Sequence, residues 1–332
     1  MRYCQIFRRA ALACVVVLGP LGIVGGAQAD DKAIFQTNWR AQAEHGGFYQ
    51  ALATGLYKKY GLDAEVHMGG PQMDVNALLL AGKVDFVMSN ALAGFNYVRE
   101  NLPFIVVASS FQKDPQVLIS HPGVGNDALA DLKGKPIMIG AAGRTSYWPF
   151  LRAKFGYTDD QIRPYTFNLA PFLADKNAIQ QGFVTSEVFA VQLAGVKPVV
   201  HLFADAGYDN YQTTINTSRE NVEKRADYVQ RFVNASIEGW KSYIFGDPAP
   251  ANAMIKADNP EMTDEKIAYA IQAMRDSGIV DSGDSKTLGI GAMTDERWER
   301  FFKLMSGAGV YPPDLDYKKG YTLQFVNKRV GM

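Results

Sequence analysis

Cysteine is almost missing from this chain: of 332 residues only Cys4 and Cys14 carry a thiol. Everything after position 14 therefore lacks disulfide staples, thiolate metal clusters and a cysteine nucleophile. Histidine is scarce as well, and His45, His67, His121 and His201 stand far apart, so a histidine-rich metal site is not expected. Net charge is absent too, since 34 basic and 34 acidic side chains cancel. With no basic excess to neutralise phosphates, the chain gives no electrostatic reason to expect a nucleic-acid partner. What is present is apolar material: hydrophobic residues make up 47% of the sequence and charged residues 20%. That balance supports a sizeable core and excludes disorder and collagen-like repeats. The length suits two ordinary domains or one large one.

The amino terminus reads as a targeting segment. Arg2, Arg8 and Arg9 precede an apolar run from Ala10 to Leu18, and Ala27-Gln28-Ala29 offers an A-x-A cleavage site before Asp30. Gly19, Pro20 and Gly22 interrupt the run short of the roughly 18–20 apolar residues that span a bilayer. A signal peptide over 1–29 is expected rather than a retained anchor, with the Sec and Tat routes both open. Both cysteines leave with it. Taking its three arginines from the 34 basic residues leaves 31 against 34 acidic ones, so the mature product is expected to be soluble, mildly acidic and periplasmic.

Beyond the leader, short apolar runs alternate with helical patterns. Ala33–Thr37, Ala64–Met68, Val84–Met88 and Phe104–Ala108 read as strands. Gly47–Lys59, Met73–Ala81 and Ala91–Arg99 read as helices between them. The same alternation returns through Pro136–Gly140, Tyr147–Phe155, Pro171–Gln181 and Pro198–Phe203, which implies two α/β units with largely parallel sheets. The last third is helical: Val222–Phe245, Ala249–Ala257, Asp264–Ser277 and Asp295–Met305. Gly307 and Gly309 end the last of these, and Pro312-Pro313 prevents its continuation.

Three stretches carry a family resemblance. The segment from Asn38-Trp39 through His45-Gly46-Gly47-Phe48-Tyr49-Gln50-Ala51 to Gly55-Leu56-Tyr57-Lys58-Lys59-Tyr60-Gly61-Leu62 resembles the opening of periplasmic solute-binding proteins for thiamine-pyrimidine precursors, nitrate, sulfonates and taurine. Leu80-Ala81-Gly82-Lys83-Val84-Asp85-Phe86 is similar to that family's turn into its third strand, and Asp131-Leu132-Lys133-Gly134-Lys135-Pro136 to its entry into the second sheet. The resemblance implies a two-lobed, type II periplasmic-binding-protein architecture that closes on a small molecule and presents it to the transmembrane permease of an ABC importer. It implies a monomer, no cofactor and no catalysis. Residues 30–113 with 206–332 are expected to form one lobe, with 114–205 inserted as the other.

In open α/β sheets ligands collect at the carboxyl ends of strands, and that rule selects the candidate site residues. Trp39 follows the first strand, where an indole can stack on a planar solute; core packing explains it as well. Glu44 and His45 share its loop and can hydrogen-bond an amine or ring nitrogen, although His45 also fits as a packing residue. Ser89 and Asn90 follow the third strand, and a helix N-cap accounts for either without a ligand. In Gly140-Ala141-Ala142-Gly143-Arg144-Thr145-Ser146-Tyr147-Trp148, Thr145 or Ser146 is expected to open a helix with free N–H groups, Arg144 to add a charge partner, and Tyr147 to supply an aromatic wall while Trp148 turns inward. Glu187 ends the run Phe183-Val184-Thr185-Ser186 and suits a contact made on closure, or else a helix-start carboxylate. Tyr208 and Tyr211 close the pocket or pack the hinge.

The aromatic residues together with Glu187 favour a planar, nitrogen-containing solute such as a pyrimidine precursor; Arg144-Thr145-Ser146 keeps a sulfonate, taurine, nitrate or another organic anion as the alternative. A secreted enzyme on the same fold is a third reading. Against it, the sequence has no G-x-S-x-G elbow and no ordered nucleophile–base set, and Gly123-Val124-Gly125 lacks the final glycine of a dinucleotide loop.

Overall fold

The computed structural model describes residue 1, residues 30–71 and 73–330, and residue 332. The expected signal peptide lies outside the described residues, apart from its first methionine. The strands are β1 (Asp31–Gln36), β2 (Leu62–His67), β3 (Phe86–Asn90), β4 (Phe104–Phe111), β5 (Gln116–Ser120), β6 (Ile137–Ile139), β7 (Ile162–Pro164), β8 (Ile179–Phe183), β9 (Val199–Leu202) and β10 (Gln212–Ser218), of which β5, β7 and β10 carry no alternating or wholly apolar pattern. They form two five-stranded sheets, ordered β2-β1-β3-β10-β4 and β7-β6-β8-β5-β9. In the first, β1 pairs in parallel with β2 and β3, and β10 returns antiparallel between β3 and β4. The second repeats the scheme, with β6 parallel to β7 and β8, and β5 antiparallel to β8 and β9. Each residue of β4 is buried, which is why its sequence shows no alternation: helices cover both of its faces.

Helix boundaries follow local chemistry. Asp74 caps Val75–Leu80 by accepting from the Ala77 amide at 3.1 Å, and Thr263 caps Asp264–Asp276 in the same way. The single helix expected over Gly47–Lys59 is two, Gly46–Ala53 and Leu56–Lys59, because Gly55 takes a left-handed conformation, φ +72°, between them. Val222–Phe245 likewise divides at Arg225 into Arg219–Lys224 and Ala226–Phe245. Pro171–Gln181 resolves into the short helix Ala170–Ala174 and the start of β8.

The long helix Ala226–Phe245 lies on the first sheet through an aromatic stripe. Phe232 stacks on Phe86 with centroids 4.0 Å apart and on Tyr57 at 5.1 Å, and touches Phe35 at 5.6 Å. Its approach to Gly46–Ala53 is set by two glycines. A Cβ on Gly239 would stand 2.3 Å from the Gly47 carbonyl oxygen, and one on Gly47 would stand 2.1 Å from the Trp240 ring. Gly239→Ala is therefore expected to cost about 1–3 kcal/mol by overpacking, read as a lower urea midpoint at unchanged slope.

The chain passes between the lobes twice, through 112–115 and 203–211, and both passages are cross-tied. Asp114 is buried and accepts from Asn210 Nδ2 (2.6 Å), the Gln116 amide (3.0 Å) and Gln116 Nε2 (3.1 Å). Arg297, from the helix Asp295–Gly307, donates to the carbonyls of Gln112, Asp209 and Asn210, and its guanidinium lies 4.1 Å from the centre of the Tyr211 ring. Burial raises the Asp114 carboxyl to about 6, against smaller opposing effects of its hydrogen bonds and of Arg297.

Candidate functional site

Parallel pairing puts the carboxyl ends of β1, β2 and β3 on one rim of the first lobe, and those of β6, β7 and β8 on one rim of the second. The two rims face each other and touch. Thr185 donates its hydroxyl to Glu44 Oε1; the Trp39 and Phe167 rings lie 5.8 Å apart. Phe189 stacks on Tyr269 at 4.6 Å, joining the helix Glu187–Leu193 to the helix Asp264–Asp276.

Glu44 is the unusual group here. The loop after β1 turns through the 3₁₀ segment Ala43–His45 into the helix Gly46–Ala53, which carries this carboxyl into the interface. Only 4% of it remains exposed. Burial raises its pKa, partly opposed by the Thr185 hydrogen bond, while the nearby Glu187 carboxylate raises it further. His45 beside it is 1% exposed, and its Nδ1 has no hydrogen-bond partner among the described residues. Burial lowers its pKa to about 3, so the ring is neutral at physiological pH, with one nitrogen unclaimed in a dry setting. Such an atom is costly unless a partner reaches it. Trp39 is held from its backbone: its carbonyl accepts from Thr37 Oγ1 at 2.9 Å and from the Gly69 amide at 3.0 Å. A Cβ on Gly69 would stand 2.3 Å from the Thr37 carbonyl oxygen, so glycine is what lets the β2 loop brace the Trp39 loop.

On the opposite rim, Glu187 Oε2 accepts from the Phe183 amide at 2.8 Å and from Ser186 Oγ at 2.7 Å. The carboxylate thereby ties the first turn of the helix Glu187–Leu193 back to the end of β8, and its other oxygen makes no hydrogen bond among the described residues. Tyr147 is buried against Phe203 (4.7 Å) and donates to Gln181 Oε1 at 2.8 Å; Trp148 is buried beside it and bonds Asp159. Tyr208 packs between Phe150 and Phe301 near the second passage, and its hydroxyl has no hydrogen-bond partner among the described residues. Tyr211 lies under Arg297, and its hydroxyl accepts from the Thr294 amide at 3.0 Å. Ser89 and Asn90 end β3 half-buried, and the Asn90 side chain makes no cap hydrogen bond although Asn90 occupies the N-cap of Ala91–Arg99.

One local expectation is corrected. Neither Thr145 nor Ser146 opens a helix. The helix starts at Ala141 with Gly140 as its cap and ends at Thr145, while the next begins at Trp148. Both hydroxyls turn back to the Ala142 carbonyl, at 3.3 and 2.8 Å. They satisfy helix-end acceptors, because Gly140 already has the extended backbone that an N-cap requires. Arg144 is exposed and lines a cavity of about 490 Å³ made with Trp148, Arg152, Asp159, Ile162 and Pro164, all of the second lobe. The residues that the rim geometry adds are Tyr165 and Phe167, and it brings forward Thr185, which the sequence placed only in the run leading to Glu187. Phe167 carries no sequence motif, and Tyr165 is marked only by its place after Pro164.

Two α/β lobes with facing strand ends and a cleft between them define the periplasmic-binding-protein fold. Solved structures of that fold agree. The aliphatic sulphonate-binding protein SsuA of Escherichia coli superposes with a TM-score of 0.67 at 13% identity, over 87% of this chain and 91% of that one. The alkanesulfonate-binding SsuA of Xanthomonas axonopodis pv. citri, bound to MOPS, gives 0.62 at 11% over 89% and 99%. The desulfurization enzyme DszB shares the fold as well, at 0.57 and 12% identity over 89% and 97%. Residues 42–251 match the family described as NMT1/THI5 like, and the chain belongs to that family. A curated relative, the 4-amino-5-hydroxymethyl-2-methylpyrimidine phosphate synthase of Schizosaccharomyces pombe, is 28% identical over 144 residues; the match spans 42% of this chain and only 41% of the relative.

Proposed function

We propose that this chain is an exported, monomeric solute-binding receptor that closes its lobes, 30–113 with 206–332 against 114–205, on a small planar nitrogen-containing solute and delivers it to an ABC-importer permease. The observation that carries this reading is the buried pair Glu44 and His45 at the meeting of the two rims, with Glu187 close by. Two acidic side chains and a neutral imidazole offer acceptors and at most a few donors, a set that suits an aminated heterocycle. An anion entering the same place would meet two acidic side chains, Glu44 and Glu187, with no cation acting on Glu44 among the described residues. Arg144, the charge on which an anion-binding reading depends, lines a cavity of the second lobe with Arg152 and Asp159 and makes no ion pair with Glu44 or Glu187. The sulfonate-binding neighbours favour the organic-anion reading as the second choice, though their identities, below 15%, support the fold alone.

Catalysis is not part of the proposal. Some relatives of this fold and family are named as enzymes, but Glu44 and His45 share no hydrogen bond that would make a base–nucleophile set. The test is a thermal-shift and calorimetric comparison of 4-aminopyrimidine, ethanesulfonate, taurine and nitrate on the chain from Asp30 onward, followed by mass spectrometry of the recovered compound. Stoichiometric binding of the aminopyrimidine, returned unchanged, supports the reading; stabilisation by sulfonates alone, or turnover, replaces it. Trp39→Ala is expected to weaken aminopyrimidine binding about threefold to tenfold, the worth of one aromatic stacking partner, with little change in the melting temperature of the empty protein, since Trp39 is only half-buried.

A further inference from the structure

We propose that Phe167 is a latch: an aromatic side chain of the second lobe that holds the closed state by docking on Trp39 of the first. The inference rests on the two-lobed receptor reading and adds to it the residue that sets the closing equilibrium. Phe167 lies in the connection between β7, which ends at Pro164, and the helix Ala170–Ala174. Its backbone is left-handed, with φ +59°. That region is open to glycine and tolerated by asparagine, but it is costly for a bulky residue with a Cβ. Asn168, the neighbour better suited to it, instead uses its side chain to accept from the Ala170 amide at 2.9 Å.

Phe167 also keeps 61% of its surface exposed, which is unusual for phenylalanine. An unfavourable backbone and an exposed ring therefore coincide at one position. A loop that only had to turn would need neither, because glycine reverses the chain there without strain. What the conformation achieves is placement. The Phe167 ring stands 5.2 Å from Tyr165 on its own lobe and 5.8 Å from Trp39 on the other, so three aromatic rings run in a row across the cleft. Trp39 is the fixed end, braced by Thr37 and Gly69. Phe167, on the short connection of an edge strand, is the movable end. Closing the lobes brings the two rings together; opening them returns both to water. The pair therefore acts on the closed state alone and lowers the rate at which a captured solute escapes.

The test exploits the lack of cysteine beyond Cys14. Spin labels on Lys83→Cys and Lys176→Cys, exposed sites on the two lobes, report the inter-lobe distance in the empty protein without reference to any ligand. Phe167→Ala and Phe167→Gly are both expected to shift the distribution toward longer distances, whereas Phe167→Trp keeps the wild-type peak. Phe167→Gly is expected to melt above Phe167→Ala, because glycine accepts the left-handed backbone. With 4-aminopyrimidine and ethanesulfonate as probes, whichever binds should dissociate about threefold to tenfold faster from the alanine variant, the worth of one aromatic pair. An unchanged distance distribution in both truncations would make Phe167 a turn residue and overturn the latch. A shifted distribution with neither probe bound would leave the latch standing and count against the solute reading instead.

Discussion

Glu44→Gln is expected to weaken binding of an aminated heterocycle by about tenfold to a hundredfold while raising the melting temperature of the empty protein. The two effects share one cause. A carboxylate buried at the meeting of the lobes is disfavoured by lost hydration, which is why its pKa is raised. A solute that donates a charge-assisted hydrogen bond offsets that penalty, and such bonds are worth about 1.5–3 kcal/mol. Glutamine keeps the shape and can still accept from Thr185, but it carries neither the penalty nor the charge. The pH dependence follows with a definite sign. Because the folded-state pKa lies above that of the unfolded chain, the stability this site allows is fully present below the unfolded value and is lost as pH rises through the raised one. Binding of a protonated amine runs the other way: it favours the carboxylate, releases a proton and weakens as the pH is lowered through the raised pKa. Calorimetry in two buffers of different ionisation enthalpy reads the released proton, and Glu44→Gln should abolish it. Proton release that persists in the variant would move the charged partner elsewhere.

The second large effect is expected at the passage between lobes. Arg297→Ala should cost about 3–5 kcal/mol of unfolding free energy, the range for removing one partner from a buried charged network. The guanidinium serves three carbonyls on two chain segments, those of Gln112, Asp209 and Asn210, and is only 7% exposed. Lysine, with one compact donor group, cannot reproduce that fork, so Arg297→Lys should recover only part of the loss. Asp114 makes the deficit depend on pH. Its carboxyl titrates near 6 in the folded protein against 3.8 as the ordinary value, with burial the main cause and Arg297 opposing it. Other charges and phenols act nearby. Tyr147 and Tyr208 both feel the Asp114 charge, while Lys113–Asp205 and Arg300–Asp209 pairs flank the passages. A raised carboxyl costs stability as pH rises from about 4 to 6. Without Arg297 the ionised Asp114 loses its attracting charge, so urea titrations should show a larger Arg297→Ala deficit at pH 8 than at pH 5. An equal deficit at both would assign the whole effect to the three carbonyls.

The sequence carried more of the fold than of the site. The apolar run Phe104–Ala108 announces its strand because burial on both faces favours apolar residues, while the continuation through the buried Ser109 and Ser110 to Phe111 is not marked by hydrophobicity. The helices at 249–258, 264–276 and 295–307 announce themselves because a 3.6-residue period and their end signals agree. The breaks at Gly55 and Arg225 were harder to see, since the apolar stripe runs on across them while the backbone turns. At the candidate site, the place of Trp39, Glu44 and His45 after the first strand was legible, and the structure puts that loop on the rim facing the second lobe. Thr145 and Ser146 could not be read correctly, because whether a hydroxyl caps a helix start or a helix end depends on where the preceding glycine puts the backbone.

The order of residues by itself determined the alternation of strand and helix and the lack of thiol chemistry beyond position 14, because these depend on local periodicity and composition; the two-lobed binding fold was implied by the resemblance of three stretches to a known family. Only the tertiary structure decided that Glu44 meets Thr185 141 positions away, that Arg144 lines a cavity of its own lobe, and that Phe167 reaches Trp39 across the cleft. Those pairings arise from two sheets docking rim to rim. No local signal encodes them, because the energy of a contact between distant segments exists only once both lobes are folded and brought together.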